Sequence, residues 1–304
     1  MTTPLIVVVT TGGTIASTVD ADGVSSPTLG GGALVGAAAE EAGVRVRVVE
    51  ALRVDSSTLT LDDAWTVVTR VHEALADPGV AGVVVLHGTD SLAETAYLLD
   101  LHHADARAVV LTGSQRTSDH DEPDAPANVR SALRTAVTGS GVLVAFGGRV
   151  LPAAGVVKRH TTDLDAFAAP DGPLPRAVLP AADGPWPRVD VVTAHPGMDG
   201  VLLDACVAAG AGGVVLEGLG SGNATPAVVA AVARARAAGV AVVLTTRVPA
   251  GPVATTYGDG GGGADLAAAG AVPAGRLKAG QARVLLAALL RAGADVGPGF
   301  ATRG

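Results

Sequence analysis

Val83-Val84-Val85-Leu86-His87-Gly88-Thr89-Asp90-Ser91-Leu92-Ala93-Glu94 runs apolar, breaks into small polar residues and then resumes an amphipathic pattern. An unbroken apolar run, here Val83–His87, reads as a parallel strand buried on both faces, because a half-exposed strand would alternate. Ser91-Leu92-Ala93-Glu94 has the spacing of a capping box, which predicts a helix over Ser91–Leu101. The same strand–turn–helix grammar repeats on either side. Leu5–Thr10, Arg45–Glu50, Ala108–Leu111 and Val142–Phe146 read as further strands. Leu61–Leu75, introduced by the capping-box-like Thr60-Leu61-Asp62-Asp63, and Asn128–Val137 read as helices. This βαβα order predicts a doubly wound, mostly parallel sheet flanked by helices.

Between Pro170 and Pro187 six prolines interrupt the pattern, a composition suited to a linker. Alternation then resumes through Val189–Val192, Met198–Ala209, Gly213–Leu216, Pro226–Ala238, Val240–Thr245 and Lys278–Arg291. The expected organisation is an N-terminal α/β catalytic domain over 1–169, a linker over 170–188, and a smaller C-terminal α/β domain over 189–304. Gly260–Gly263, preceded by Tyr257-Gly258-Asp259, reads as a flexible loop of the second domain.

Composition narrows the function classes. The 304 residues are 48% hydrophobic, enough for a sizeable core, yet only 2% are aromatic. A net charge of −8 with no basic cluster, and so few rings to stack bases, argues against nucleic acid as a ligand. No 18-residue apolar stretch is free of charge, and no basic residue precedes Arg45 to mark a leader. A soluble cytoplasmic protein with no membrane partner is the expectation. The single cysteine, Cys206, excludes an internal disulfide and a cysteine metal site, and reads as a small buried hydrophobe. The histidines show no metal-ligand spacing, and His102-His103 reads as a helix terminus. No metal and no cofactor are expected.

Ligands of open α/β sheets gather beyond the carboxyl ends of the strands, where the unusual segments fall. Thr10-Thr11-Gly12-Gly13-Thr14-Ile15-Ala16 follows the first strand, with glycines that let backbone N–H groups approach a ligand. It lacks the dinucleotide glycine fingerprint, which disfavours an oxidoreductase. Asp55-Ser56-Ser57-Thr58 follows the second strand with a cluster of hydroxyls. After the third, Asp90, Ser91 and Glu94 have a sufficient explanation as helix-start residues, but Thr89 serves neither cap nor core. A helix N-terminus there favours a carboxylate or a developing oxyanion. Thr112-Gly113-Ser114-Gln115-Arg116 repeats the small-polar theme, and Lys158 stands out in a chain with only one other lysine, Lys278.

Thr11-Gly12-Gly13-Thr14-Ile15-Ala16 together with His87–Tyr97 resembles two signatures of the bacterial-type L-asparaginases, in order and at about the right separation. The likeness continues through Asp55-Ser56-Ser57, Leu111–Arg116, Lys158 with Thr161-Thr162-Asp163, Thr246-Arg247-Val248-Pro249 and Gln281–Leu286, covering nearly the whole chain. The resemblance implies a two-domain asparaginase-like fold and cofactor-free hydrolysis of L-asparagine to L-aspartate and ammonia. Thr14 corresponds to the nucleophile on a mobile loop, and Thr89 to a second threonine grouped with Lys158 and Asp90. Ser56 corresponds to the residue holding the substrate α-carboxylate and Asp90 to that taking the α-amino group. Ser57 and Ser114 are the further substrate-binding candidates. Whether Thr89 itself attacks stays open at this level.

Two departures from the family stand out. The lid, Ser17–Gly32, has no tyrosine where many relatives carry one; Pro27 stands there, with Ser25, Ser26 and Thr28 as the nearby hydroxyls. The remaining tyrosines are Tyr97, expected in the core, and Tyr257. Ser57 replaces a glutamine of the secreted members, which suits a cytoplasmic one. Those members also donate an acidic residue from a neighbouring subunit, and Tyr257 and Asp259 are the candidates here. The resemblance thus implies a homodimer or homotetramer with sites at the subunit interface. Two other readings compete: a non-catalytic amino-acid-binding or regulatory protein, and the asparaginase-like subunit of a tRNA-dependent amidotransferase. Simple binding needs neither Lys158 nor paired threonines, and the amidotransferase role usually brings extra N-terminal material.

Overall fold

The computed structural model describes residues 3–12, 17–19, 25–27, 31–170 and 172–304. The chain divides into two compact units, Met1–Ala169 and Pro170–Gly304.

In the first unit, β1 (Leu5–Thr10), β4 (Arg45–Glu50), β5 (Val80–Leu86), β6 (Val109–Thr112), β7 (Val142–Phe146) and β8 (Arg149–Pro152) form one sheet. Its order is β4-β1-β5-β6-β7-β8, parallel throughout except β8, which returns antiparallel along β7. Two short pairs stand outside it, β2 (Ser17–Val19) with β3 (Ser25–Pro27), and β9 (Val157–Lys158) with β10 (Phe167–Ala168). The helices are α1 (Gly31–Ala42), α2 (Leu61–Leu75), α3 (Leu92–His102) and α4 (Ala125–Thr138).

The apolar runs are buried on both faces, as their composition requires. Ile6, Val8, Val84 and Val110 are fully buried in one cluster with Val129 and Leu133 of α4. Their alternates Val7, Val9, Val83 and Val85 are equally buried, on the face where α2 and α3 pack. Each such side chain contributes roughly 1.5–3 kcal/mol relative to exposure. Thr60 caps α2 with a complete capping box, in which its hydroxyl accepts from Asp63 N and the Asp63 carboxylate accepts from Thr60 N. Tyr97 is fully buried on α3, as expected.

The second unit repeats the plan on a smaller scale. β11 (Val189–Thr193), β12 (Gly213–Gly218), β13 (Ala241–Thr246) and β14 (Val272–Pro273) form a four-stranded parallel sheet. It carries α5 (Val201–Ala208), α6 (Pro226–Ala237), α7 (Gly263–Ala268), α8 (Ala279–Arg291) and α9 (Val296–Ala301). Cys206 departs from expectation and is only half-buried, because α5 buries Leu203 alone and leaves Val201 and Leu202 61% and 51% exposed. The glycine run expected to be a loop instead ends in α7, whose first residue is Gly263. Among the described residues no helix is long and apolar enough to cross a membrane.

Candidate active site

The loops at the carboxyl end of the first sheet are drawn together by close backbone contacts. Thr11 N and Thr11 Oγ1 both donate to Leu86 O at 3.1 Å, tying the end of β1 to the end of β5. Gly12 has φ +98°, and a Cβ there would lie 2.7 Å from Val54 O, so only glycine lets this turn meet the segment leading to Ser56. At the end of β6, a Cβ on Gly113 would fall 2.3 Å from His87 O. The bare backbone of Gly113 therefore lets the β6 loop lie directly against the β5 loop that carries Thr89.

Thr89 is buried, and its hydroxyl accepts from Lys158 Nζ at 2.8 Å. Lys158 Nζ also reaches Asp90 Oδ1 at 3.1 Å, closing a hydroxyl–amine–carboxylate chain across 69 residues of sequence. The lysine is placed by the β9–β10 ribbon, in which Lys158 pairs with Phe167. Phe167 is buried edge-on to Phe146 of β7, ring centres 5.0 Å apart, which anchors the ribbon to the sheet. The loop between the two strands is closed by Arg159, whose Nη2 meets Asp165 Oδ2 at 2.7 Å, and by His160 Nδ1, which accepts from Thr162 N and Asp163 N. The Lys158 side chain is only 23% exposed in this setting.

Ser56 joins the group from the other side. Its buried hydroxyl accepts from Asp90 N at 3.3 Å, while Ser91 Oγ donates to Ser56 O at 2.6 Å. The second bond corrects an expectation: Ser91 occupies the N-cap of α3 but makes no side-chain cap bond. Its hydroxyl donates to the Ser56 loop instead and ties that loop to the start of α3. Ser57 is exposed and turns back on Asp55, to which it donates through N at 2.8 Å and Oγ at 2.7 Å. These bonds hold the Asp55 carboxyl below its ordinary range, the backbone bond first. Ser114 follows Gly113 with its hydroxyl buried and without a hydrogen-bond partner among the described residues. Such an orphaned group beside Thr89 is a ready contact for a polar ligand.

Two residues that sequence reasoning did not single out organise the group. Gln115 Oε1 accepts from Thr89 Oγ1 at 3.4 Å, and Gln115 Nε2 donates to Thr161 O and Asp163 O, both at 3.1 Å. Asp124 accepts from Gln115 N and Arg116 N at 3.0 Å each and from Asn128 Nδ2 at 3.1 Å. Gln115 lay inside the Thr112–Arg116 segment without a role, and nothing local marked Asp124; the part Gln115 plays comes from partners 26, 46 and 48 residues away. His87 lies beneath the loop, fully buried, with Nδ1 2.7 Å from Gly88 O. Burial pushes its pKa down to about 4, against the opposing effect of the Gly88 bond. A neutral ring beside a carbonyl that can only accept carries its proton on Nδ1.

Of the predicted site residues, Ser56, Thr89, Asp90 and Lys158 are joined by bonds, and Ser114 follows the Gly113 backbone that packs against the Thr89 loop. Ser57 is turned away. Thr14 lies outside the described residues, as does most of the lid. Tyr257 and Asp259 sit on an exposed loop of the second unit, Tyr257 61% exposed and Asp259 at φ 71°. Among the described residues no group of three His, Cys, Asp or Glu side chains could hold a metal ion.

Residues 5–180 match the family model described as "Asparaginase, N-terminal", and residues 188–297 match the "Glutaminase/Asparaginase C-terminal domain". The chain is 34% identical to the L-asparaginase of Bacillus licheniformis, covering 94% of this chain and 95% of that protein. It is 36% identical to a probable L-asparaginase of Deinococcus radiodurans, covering 96% and 94%. Among solved structures, the probable cytoplasmic L-asparaginase of Campylobacter jejuni superposes with a TM-score of 0.85 at 28% identity, over 98% of this chain and 99% of that one.

Proposed function

The chain belongs to the asparaginase family, and from that premise we propose that it hydrolyses L-asparagine to L-aspartate and ammonia through a threonine ester. The observation that carries the reading is Lys158 Nζ bridging Thr89 Oγ1 and Asp90 Oδ1 at the carboxyl end of a parallel sheet. A neutral water is a poor nucleophile, and an amine held by a carboxylate can take its proton by way of Thr89. The relatives that match over nearly their whole length are asparaginases, which supports this activity over the binding-protein and amidotransferase readings.

In this mechanism Thr14 Oγ attacks the side-chain amide carbon, its hydroxyl proton is passed to the amide nitrogen, and the C–N bond of the tetrahedral intermediate breaks to release ammonia, leaving an aspartyl ester. Water held by the Thr89–Lys158–Asp90 group then attacks the ester carbon, and the C–O bond to Thr14 breaks to release aspartate. Ser56 holds the α-carboxylate, Asp90 the α-amino group, and Ser114 offers its free hydroxyl to the substrate. No step calls for a metal or cofactor. The likeness to a protein called cytoplasmic supports a cytoplasmic location. A homodimer or homotetramer follows in the same proposal, with Tyr257 or Asp259 of one copy completing the site of another.

Ammonia release from L-asparagine and L-glutamine by wild type, Thr14→Ala and Thr89→Val tests the reading. Each variant should lose about 10³-fold or more in kcat. Activity surviving both substitutions contradicts the site, and an inactive wild type that binds aspartate supports the binding protein instead. Tyr257→Phe and Asp259→Ala that both leave kcat and KM unchanged would remove the subunit contribution.

A further inference from the structure

We propose that Gln115 is a positioning residue that sets the direction of the Thr89–Lys158 hydrogen bond, by accepting the Thr89 hydroxyl proton on the side away from the lysine. The inference rests on the asparaginase reading for its consequence in catalysis, though not for its geometry.

The orientation of the Gln115 amide is fixed by its surroundings. Nε2 faces Thr161 O and Asp163 O, both at 3.1 Å, and a carbonyl can only accept. A flipped amide would set oxygen against two oxygens, so Oε1 must be the atom facing Thr89 Oγ1. Thr89 carries one hydroxyl proton and receives a bond from Lys158 Nζ at 2.8 Å. With Lys158 as donor, that proton has to point elsewhere, and Gln115 Oε1 takes it. The arrangement therefore favours the lysine as donor over the neutral amine that would accept from Thr89.

The contact is also weak enough to be left. At 3.4 Å it is long beside the 2.8 Å bond from the lysine, so rotating the hydroxyl proton toward a neutral Lys158 gives up little. In the deacylation step water loses a proton to Thr89 Oγ1 while the Thr89 proton passes to Lys158 Nζ. The hydroxide oxygen bonds to the ester carbon, and the proton returns along the same path to Thr14 as the ester C–O bond breaks. A Gln115 oxygen facing Thr89 disfavours a bare alkoxide there, so Thr89 passes a proton on only as it receives one. The same amide ties the Thr161–Asp163 segment, which follows Lys158, to a loop clamped by Asp124. One side chain thus sets both the lysine's place and the hydroxyl's polarity. Among the described residues Asp90 is the charged group paired with the lysine, and it is unchanged in the variants below.

The chain has two lysines, so Lys158 can be followed directly by NMR in protein carrying 13C-labelled lysine, with Lys278→Arg assigning the signals. Gln115→Met keeps the length and removes both polar atoms. The freed Thr89 proton then turns to the amine, and the Lys158 titration midpoint should fall by about half a unit or more. The kcat for L-asparagine should drop about 10- to 100-fold with KM within about threefold of wild type. A Lys158 midpoint that does not fall overturns the proposal even if activity drops, because a simple staple would leave the lysine's titration in place. If Gln115→Met does not fold, Gln115→Glu takes its place: its carboxylate must raise the Lys158 midpoint, and a midpoint that stays or falls overturns the proposal. An inactive wild type would refute the asparaginase reading, while the lysine titration would still decide the inference.

Discussion

At the carboxyl end of the first sheet Thr89 shares its hydroxyl with a lysine, whereas in the second unit Thr245 and Thr246 turn theirs onto main-chain carbonyls, Leu277 O and Gly220 O. The two lysines divide the same way. Lys158 joins a hydroxyl to a carboxylate, while Lys278 precedes α8 and donates to Gly251 O at 2.9 Å. Burial pulls the Lys278 pKa down, with Glu217 opposing. Both units are parallel α/β sheets built from the same Val- and Ala-rich sequence. The architecture therefore provides the location, and the partners that remain for each hydroxyl decide the chemistry.

Short of replacing the lysine itself, the largest effect that sharpens this contrast is expected from Asp90→Asn. It keeps the shape, removes the charge that holds Lys158, and should lower kcat/KM for L-asparagine about 10²-fold, measured by ammonia release. Unchanged kcat/KM would reduce the first unit's cluster to the structural status of the second.

A second effect concerns stability. Burial holds the His87 pKa at about 4 in the folded chain against an ordinary imidazole value of 6.5, so between these values the unfolded chain binds the extra proton. Stability should therefore fall as pH drops from about 6.5 toward about 4, and be unaffected by this group above that window. His87→Gln should flatten that part of the dependence in urea titrations at stepped pH; an equal slope in both proteins contradicts it. The smallest effect on activity is expected in the second unit. Thr245→Val strands the buried Leu277 carbonyl at a cost of about 1–3 kcal/mol while leaving kcat within about threefold. Denaturant melts and ammonia assays read the two sides, and a large loss of kcat would break the comparison.

The sheet was legible because its central strands are unbroken apolar runs, while the edge strand β4, with its alternating arginines and valines, was read from its valines; β1, β4 and β7 lie where the composition places them. The Thr60 capping box likewise fixed the start of α2. Helix α1 was not legible: Gly31–Ala42 is mostly alanine and glycine, with little contrast between faces. At the site, Thr89, Asp90 and Lys158 stood out through residue type and family likeness, but their contact depends on the two-residue strand β9, too short to leave a pattern. Ser91 read as a cap and serves as a tether, since Ser56 O comes from 35 residues away. The role of Gln115, a residue inside the quoted Thr112–Arg116 segment, escaped for the same reason, with partners 26, 46 and 48 residues distant. Local signals mark helix ends and buried strands; which polar atom faces which is set by the long-range approach that Gly12 and Gly113 permit.

The central claim is that the lysine at the end of the first sheet, and not the other one, carries the chemistry. Steady-state ammonia release from L-asparagine by Lys158→Met and Lys278→Met tests it directly. The account predicts a loss of about 10³-fold in kcat for Lys158→Met and a change within about threefold for Lys278→Met. Equal activities in the two variants, or full activity in Lys158→Met, would contradict it.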